Sequence, residues 1–584
     1  MFRIRIIYDD VLPLNKRAIA QVQTILGEQF DPIPEKDITS IPEKLANPLK
    51  YRFRSVLLVA EGNRGQVKGF AFLLHEPELN FCFLDYISAA KQVTGRGIGG
   101  ALYARVRQEA ASFKTIGIFM ECLPDDPKLS KDPEKLKQNK ARLKFYENYG
   151  VRPIINTAYE TPVKEDEDNP PYLLFDDLGQ NKALKPEPTR KIVRAILERK
   201  YSDYCPPDYI QKVVYSFKDN PIQLRSPKYR RKETPASNLM EVPPDKQIPV
   251  IVNDKHEIHH IKERGYVEAP IRIRTILKEL AKSKLFEISP VKHYSDKYIR
   301  EVHDSEYISY FKKVCETLEP GKSIYPYVFP IRNSARPPKE LPVRAGYYCI
   351  DTFTPLNQNA YLAAKRAVDC ALTAADHILD GGRIGYALVR PPGHHAERKV
   401  FGGFCYFNSN AIAANYLSRY GRVAILDLDY HHGNGQQNIF YKRNDVFTIS
   451  IHGHPRFAYP YFSGFADEKG EGPGEGFNIN FPLPENIDGA KYRETLEQAL
   501  KSIKKFHPNF LVLALGLDPA KGDPTGTWSL KASDFEQNGK MVGSLKIPVA
   551  VIQEGGYNNM NLGVNARHFF TGLWTGMFNN LVLK

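Results

Sequence analysis

The sequence predicts an α/β protein in two parts: a mixed α/β domain, then a larger domain built on a largely parallel sheet with helices on both faces. Three observations predict it. From about Gln247 onward, apolar runs of strand length alternate with helical patterns such as NAYLAAKRAVDCALTAADHIL (Asn359–Leu379) and KYRETLEQALKSIKKF (Lys491–Phe506), the alternation that gives parallel strands joined by helices. Ahead of that, three strand-like runs with Gly-containing turns lead into a glycine-led helix. The length of 584 residues exceeds one ordinary domain and suffices for two or three with real cores.

In the first domain the strands are FRSVLLVAEG, QVKGFAFLLHE and NFCFLDYIS, from Phe53 to about Ile87. GRGIGGALYARVRQEAASF (Gly95–Phe113) follows, with Ile98, Leu102, Val106 and Ala110 at steps of four, an amphipathic helix behind a Gly-rich turn. TIGIFMECL reads as a strand and NKARLKFYENYG as a helix. Acidic KEDEDNPP (Lys164–Pro171) and the basic stretch after it divide the chain into a first domain at 1–180, a basic linker at 181–245 and a second domain at 246–584.

Composition narrows the function classes. Hydrophobic residues at 42%, charged residues at 25% and a mean hydropathy of −0.42 describe a soluble globular protein without a membrane span. The opening MFRIRIIYDDVLP lacks the features of a secretory signal, so a cytoplasmic location is expected. The seven cysteines are scattered and never spaced Cys-x-x-Cys, so any metal must use histidine and carboxylates. The formal charge is +14, and residues 182–232 hold 14 Lys/Arg against 5 Asp/Glu, so nine of the fourteen net charges fall in the linker. Lys228, Arg230, Arg231 and Lys232 in SPKYRRKE suit phosphates of a nucleic acid or an acidic partner. A solvated linker is the plainer reading, because no nucleic-acid fold signature accompanies the charge.

In the second domain each unusual polar cluster follows a predicted buried strand. GYALV runs into RPPGHHAE, RVAILDLD into YHHGNG, VFTISI into HGHP, FLVLAL into GLDPAKGDPTG and PVAVIQ into EGGY. Ligands of open α/β sheets bind at the carboxyl ends of the strands, so five distant loops should converge on one cleft. Adjacent His394 and His395 can aim at one place only from an irregular loop, because neighbours on a strand or helix point apart. Taken alone they are better read as core or solvated histidines. Asp429 and His431, two apart at a strand end, face one side. With Asp518 they make an Asp-His-Asp set that suits a zinc-like ion and leaves a fourth position open.

RPPGHHAE, GGFCYFNSNAIAA, DLDYHHGNGQQ, SIHGHP, GLDPAKGDPTG and EGGYNNMNLG, in that order, resemble the histone deacetylase and acetylpolyamine amidohydrolase superfamily, from roughly Ile248 to the C-terminus. The resemblance implies the arginase–deacetylase fold and zinc-dependent removal of acyl groups from amines. By it, Asp429, His431 and Asp518 hold zinc, and His395 shuttles protons with His394 as its electrostatic partner. Asp427 orients toward His394 and Asn434 toward His395, while Tyr557 donates to the oxyanion. Gly403 and Phe404 line a narrow tunnel, Asp351 is a rim carboxylate that holds substrate, and Thr525 occupies a substrate-selecting position. Asp427, His431 and Ser450 contribute to a site for a monovalent cation, potassium. The implied substrate is acetyl-lysine, in a protein, or a small acylated amine, with an acetylated polyamine as the alternative. Rivals are a catalytically silent acyl-lysine-binding module, a binuclear manganese hydrolase of arginase type and a nucleic-acid binder acting through the linker.

TGRGIGGALYARV, followed by NKARLKFYENYGVRP, resembles the GNAT superfamily of N-acetyltransferases over about residues 1–180. This implies acetyl-CoA as cofactor, with Arg96, Gly97 and Gly99 at its pyrophosphate, Asn139 near it and Tyr146 protonating the leaving thiolate. Opposed activities on one chain would then control acylation of a shared target.

Overall fold

The computed structural model describes residues 3–30, 33–62, 65–91, 97–163, 170–180, 182–229, 242–259, 266–329, 331 and 335–578. The chain forms two compact units, Met1–Ser237 and Asn238–Lys584. Among the described residues no helix is long and apolar enough to cross a membrane.

The first unit is a seven-stranded mixed sheet. Its strands are β1 (Arg3–Ile7), β2 (Arg54–Glu61), β3 (Val67–Glu76), β4 (Phe81–Ala89), β5 (Ile118–Cys122), β6 (Arg152–Pro153) and β7 (Tyr172–Asp176), in the order β1-β2-β3-β4-β5-β7-β6. Strand side chains alternate between two cores. Leu57, Val59, Phe70 and Phe72 face the helix Pro13–Gln29 on one side. Val56, Leu58, Ala71 and Leu73 share the other with Ile98, Leu102, Val106 and Ala110, the stripe legible in the sequence. β4 and β5 run parallel and pair only from Cys82↔Ile118 to Leu84↔Met120. Beyond that point β4 stays with β3 and β5 stays with β7, so the sheet divides at Asp85 and Glu121.

The expected linker is corrected here. Within 181–245 lie the helices Pro186–Lys200 and Pro207–Ser216. Their Ile192, Val193, Ile196, Leu197, Val213 and Val214 are buried in the core of the first unit. Net charge concealed this: Lys191 is exposed while the apolar stripe packs, and Arg199 and Lys200 pair inward with the buried side chains of Glu76 and Asp85, at 2.9 and 2.6 Å. The basic stretch is also engaged: Arg225 and Lys228 pair with buried Asp125, at 2.8 and 3.1 Å. Arg230, Arg231 and Lys232 lie outside the described residues. A chain ended at residue 180 exposes the apolar face that these helices cover, so we expect it to aggregate or melt at least about 10 °C below one ended at 229, as checked by differential scanning calorimetry.

The second unit is an eight-stranded, wholly parallel sheet, as the alternation of strands and helices predicts. It contains β8 (Ile248–Val252), β9 (Phe286–Ser289), β12 (Ile384–Leu388), β13 (Val423–Asp427), β14 (Val446–Gly453), β15 (Asn478–Leu483), β16 (Phe510–Leu515) and β17 (Val549–Gln553). Their order is β15-β14-β13-β16-β17-β12-β8-β9. A short antiparallel pair, β10 (Ser323–Ile324) with β11 (Leu356–Asn357), lies outside it. The central strands are apolar along their length because both faces are covered. β12 and β13 are successive in sequence but separated in space by β17 and β16. Because these strands run parallel, the loops after β12, β13, β16 and β17 leave the sheet at one edge, and the order sets β16 and β17 between β13 and β12.

Candidate active site

The loop after β12 turns at Gly393, where a Cβ would stand 2.8 Å from the Phe407 carbonyl oxygen. Only glycine fits so close an approach. The next two residues present His394 and His395 with ring centroids 4.0 Å apart, both buried. Glu554, at the end of β17, accepts the backbone N–H of Gly393 at 2.8 Å and of His394 at 3.1 Å, and so fixes the pair from beneath. His394 Nδ1 meets Asp427 Oδ2 at 3.0 Å, and His395 Nδ1 meets Asn434 Oδ1 at 2.8 Å. An amide oxygen only accepts, so His395 carries its proton on Nδ1 and leaves Nε2 bare. The Asn434 amide is oriented by its own donation to Glu397 Oε1 at 2.8 Å.

The two rings are tuned apart. Burial disfavours charge on His394, but the carboxylates of Asp429, Asp427 and Glu554 outweigh it and hold the pKa up, at about 10. Burial, together with the charges of His394 and His431, holds His395 well below the ordinary imidazole value. The surroundings thus favour charge on His394 and neutrality on His395.

Beside them the ends of β13 and β16 bring Asp429, His431 and Asp518 together, all buried, with ligand atoms within 4.8 Å of one another. His431 Nδ1 lies 3.2 Å from Asp429 Oδ1 and 3.1 Å from Asp518 Oδ2. Backbone donors orient both carboxylates: Gly555 N–H to Asp429 Oδ2 at 2.8 Å and Tyr430 N–H to Asp518 Oδ1 at 2.9 Å. Burial and the neighbouring Asp429 push Asp518 up to about 7, while His394 and His431, against burial, hold Asp429 below the carboxylate range. Two carboxylates buried against one imidazole call for a compensating cation, and oxygen and nitrogen donors without sulfur fit a divalent ion. A second cluster, His394 with Cys405 and Glu554, also lies within ligand reach. Its Glu554 oxygens are already filled by two backbone amides and by Asn410.

Tyr557 faces this cluster from the loop after β17. Asp523 Oδ2 accepts the backbone N–H of Tyr557 at 2.7 Å and of Asn558 at 3.1 Å. Arg272 lies under the ring, 4.8 Å from its centroid, and donates Nε–H to the Gly556 carbonyl at 2.6 Å. Glu268 in turn pairs with Arg272 at 3.0 Å and Arg390 at 2.7 Å, in a triad with almost no exposure. Asp523, Arg272, Glu268 and Glu554 were not picked out from the sequence. Asp523 and Glu554 stand inside quoted motifs, whereas Arg272 and Glu268 carry no local signal. We expect Tyr557→Phe to lower kcat by about 10²- to 10³-fold with KM little changed, as for loss of one oxyanion donor. Steady-state kinetics checks this, and Asp523→Asn should follow it partway by loosening the same loop.

Gly403 and Phe404 both adopt positive φ, 56° and 69°, and Phe404 stands 5.9 Å from the Tyr557 ring. Tyr459, unmarked by the sequence reading, packs edge-on against His395 at 4.7 Å. Asp351 is buried, 7% exposed, and its oxygens accept donors from within the fold. Thr525 is also turned inward, its N–H and hydroxyl both donating to Asp523 Oδ1. Ser450 lies beside Asp427 across the β13–β14 pair, but its hydroxyl is shared with His452 Nδ1 at 2.8 Å. The expectation of a monovalent cation therefore rests on the resemblance alone.

In the first unit, Gly97 precedes the helix Ile98–Ser112 with φ 73°, and a Cβ on Gly99 would meet nothing within 4 Å. Arg96 lies outside the described residues. Asn139 is buried and donates to the Pro124 carbonyl at 2.9 Å. Tyr146 packs edge-on against Tyr103 at 5.3 Å within the core, so its ring serves packing whatever else its hydroxyl does.

The parallel sheet thus carries at its carboxyl edge a cluster able to hold a metal and a buried histidine pair. Residues 266–573, just over half of the chain, match the histone deacetylase domain, and the chain belongs to that family. Acetylpolyamine amidohydrolase 2 of Pseudomonas aeruginosa is 36% identical over 335 residues, 55% of this chain and 97% of that protein. The acetylpolyamine amidohydrolase of Mycoplana ramosa is 33% identical over 339 residues, 56% of this chain and 99% of that protein. The crystal structure of an acetylpolyamine aminohydrolase from Burkholderia pseudomallei superposes with a TM-score of 0.54 at 34% identity, covering 57% of this chain and 99% of that one.

Proposed function

We propose that the second unit is a zinc-dependent amidohydrolase that cleaves the amide of an acylated primary amine. The observation that carries the reading is the convergence of the buried Asp429-His431-Asp518 cluster with the oppositely tuned His394 and His395. Three oxygen and nitrogen ligands leave a fourth position open, as catalytic zinc requires. Zinc held there would polarise the amide carbonyl and lower the pKa of a water toward neutrality. His395 Nε2 takes the proton of the attacking water and returns it to the amine nitrogen as the C–N bond breaks. His394, whose charge Asp429 and Asp427 favour, would supply positive charge beside it. The Tyr557 hydroxyl donates to the carbonyl oxygen as negative charge grows there. Phe404 and Tyr459 would grip an aliphatic chain.

The names of the relatives support an acetylated polyamine as the amine, and acetyl-lysine is the second reading. The test is acetate release from a monoacetylated diamine and from an acetyl-lysine peptide by zinc-loaded protein beside His395→Ala. Release lost in the variant upholds the deacylase, and the ratio of the two substrates sets its class. Zinc bound, fold intact and no release from either would instead favour a silent binding module.

For the first unit we propose an acetyl-CoA-dependent acetyltransferase. The parting of β4 from β5 and the Gly97 turn at a helix N-terminus support it, because divided strands leave backbone groups free and a helix N-terminus favours phosphate. Calorimetric titration with acetyl-CoA tests it: binding lost in Gly99→Asp upholds the proposal, and no binding by the intact chain rejects it.

A further inference from the structure

We infer that Asp351 is a specificity-determining positioning residue: one buried carboxylate that fixes three aromatic side chains, Phe353, Phe404 and Tyr459, around the approach to the Asp-His-Asp cluster. The inference rests on the deacylase reading above and deepens it.

The carboxylate gathers donors from three separate stretches of chain. Oδ2 accepts Gly403 N–H at 2.6 Å, the Thr354 hydroxyl at 2.9 Å and the Tyr459 hydroxyl at 3.1 Å. Oδ1 accepts the N–H groups of Phe353 at 3.0 Å and Thr354 at 2.8 Å. Thr354 Oγ1 passes the tie onward by accepting Phe404 N–H at 3.1 Å. Each of the three aromatic residues is thus fixed to Asp351 directly or through one group. Their rings also touch: Phe353 lies 5.7 Å from both Phe404 and Tyr459. Tyr459 reaches His395 and Phe404 reaches Tyr557, so the assembly borders the groups that handle the proton and the oxyanion.

The loop that Asp351 holds has no slack. A Cβ on Gly402 would lie 2.9 Å from the Tyr459 hydroxyl, and one on Gly403 would lie 2.2 Å from His395 Cδ2. Among the described residues no lysine or arginine pairs with Asp351. Its buried charge is therefore balanced by the convergent donors themselves. Only a carboxylate accepts on both oxygens; an Asn amide would turn N–H donors against N–H donors on one side. A side chain built this way serves geometry, and the geometry here is the placement of the Phe353, Phe404 and Tyr459 rings beside His395 and Tyr557.

The test compares the zinc-loaded wild type with Asp351→Asn, Tyr459→Phe and Thr354→Val. The substrates are N-acetyl-1,5-diaminopentane and its analogue with a methyl branch beside the acylated nitrogen. Zinc content and thermal midpoint are measured alongside. For Asp351→Asn we expect zinc retained, kcat on the straight substrate within about threefold, KM raised about tenfold and the straight-over-branched preference in kcat/KM reduced about tenfold, the scale of one or two lost charge-assisted hydrogen bonds. Tyr459→Phe and Thr354→Val each cut part of the network and should show the same change in smaller degree; they carry the test if the first variant does not fold. An unchanged preference, with kcat and KM shifted alike on both substrates, overturns the inference and leaves Asp351 a merely structural group. Should the wild type release acetate from neither amine, the deacylase reading fails separately. The preference is then read from calorimetric binding of straight and branched alkyl hydroxamates to the zinc-loaded proteins, where loss in Asp351→Asn upholds the inference and no change overturns it.

Discussion

Asp518→Ala should abolish stoichiometric zinc binding and lower amide hydrolysis by at least about a thousandfold, the scale set by several kcal/mol of transition-state charge stabilisation. The cause is local. Asp429 and His431 remain, but two ligands do not close a catalytic site, and the Tyr430 N–H that orients Asp518 loses its acceptor. The metal-free protein should lose little stability, because Asp518 is buried against Asp429 and both carboxylates resist burial. What disappears is the stabilisation that zinc confers by binding only the folded state. Metal analysis, kinetics and melting with and without zinc together check this: a variant that still gains thermal stability from zinc would place the metal elsewhere.

Glu268→Gln is expected to destabilise the second unit by about 3–5 kcal/mol, since it leaves the Arg272 and Arg390 guanidiniums buried without their counter-charge. Burial alone would raise the Glu268 pKa, but Arg390 and Arg272 outweigh it and bring it down to about 2. The folded value lies below the unfolded one of about 4.3. The carboxylate therefore contributes stability that is fully present above the unfolded value and is lost as pH falls toward 2. Stability of the wild type should decline across that window, and the variant should start lower and decline less. Urea denaturation at pH 7 and at steps down to pH 3 measures both effects. Because Arg272 also holds the Gly556 carbonyl and underlies Tyr557, kcat should fall with stability. Unaltered kcat in folded variant would separate the triad from the tyrosine loop.

Much of the site was legible because short spacing controls direction. Asp429 and His431 are two apart at the end of β13, so residue type and spacing already pointed to a metal cluster, whereas adjacent His394 and His395 gained a joint role only through the motif resemblance. The apolar runs ahead of each motif likewise announced a buried parallel sheet, and the stripe Ile98, Leu102, Val106 and Ala110 announced its helix. Where charge was read without periodicity, the outcome differed: the helices Pro186–Lys200 and Pro207–Ser216 belong to a core and not to a linker.

Residue types and their spacing mark the side chains suited to the proposed chemistry and set them at strand ends. What holds those side chains emerges only in the folded chain. Arg272 reaches the Tyr557 loop across 284 residues of sequence, Asp523 anchors its backbone, and Asp351 joins stretches more than fifty residues apart. Local spacing is a property of one strand or turn, whereas a buried hydrogen bond between distant loops exists only once the strand order has brought their ends to the same edge.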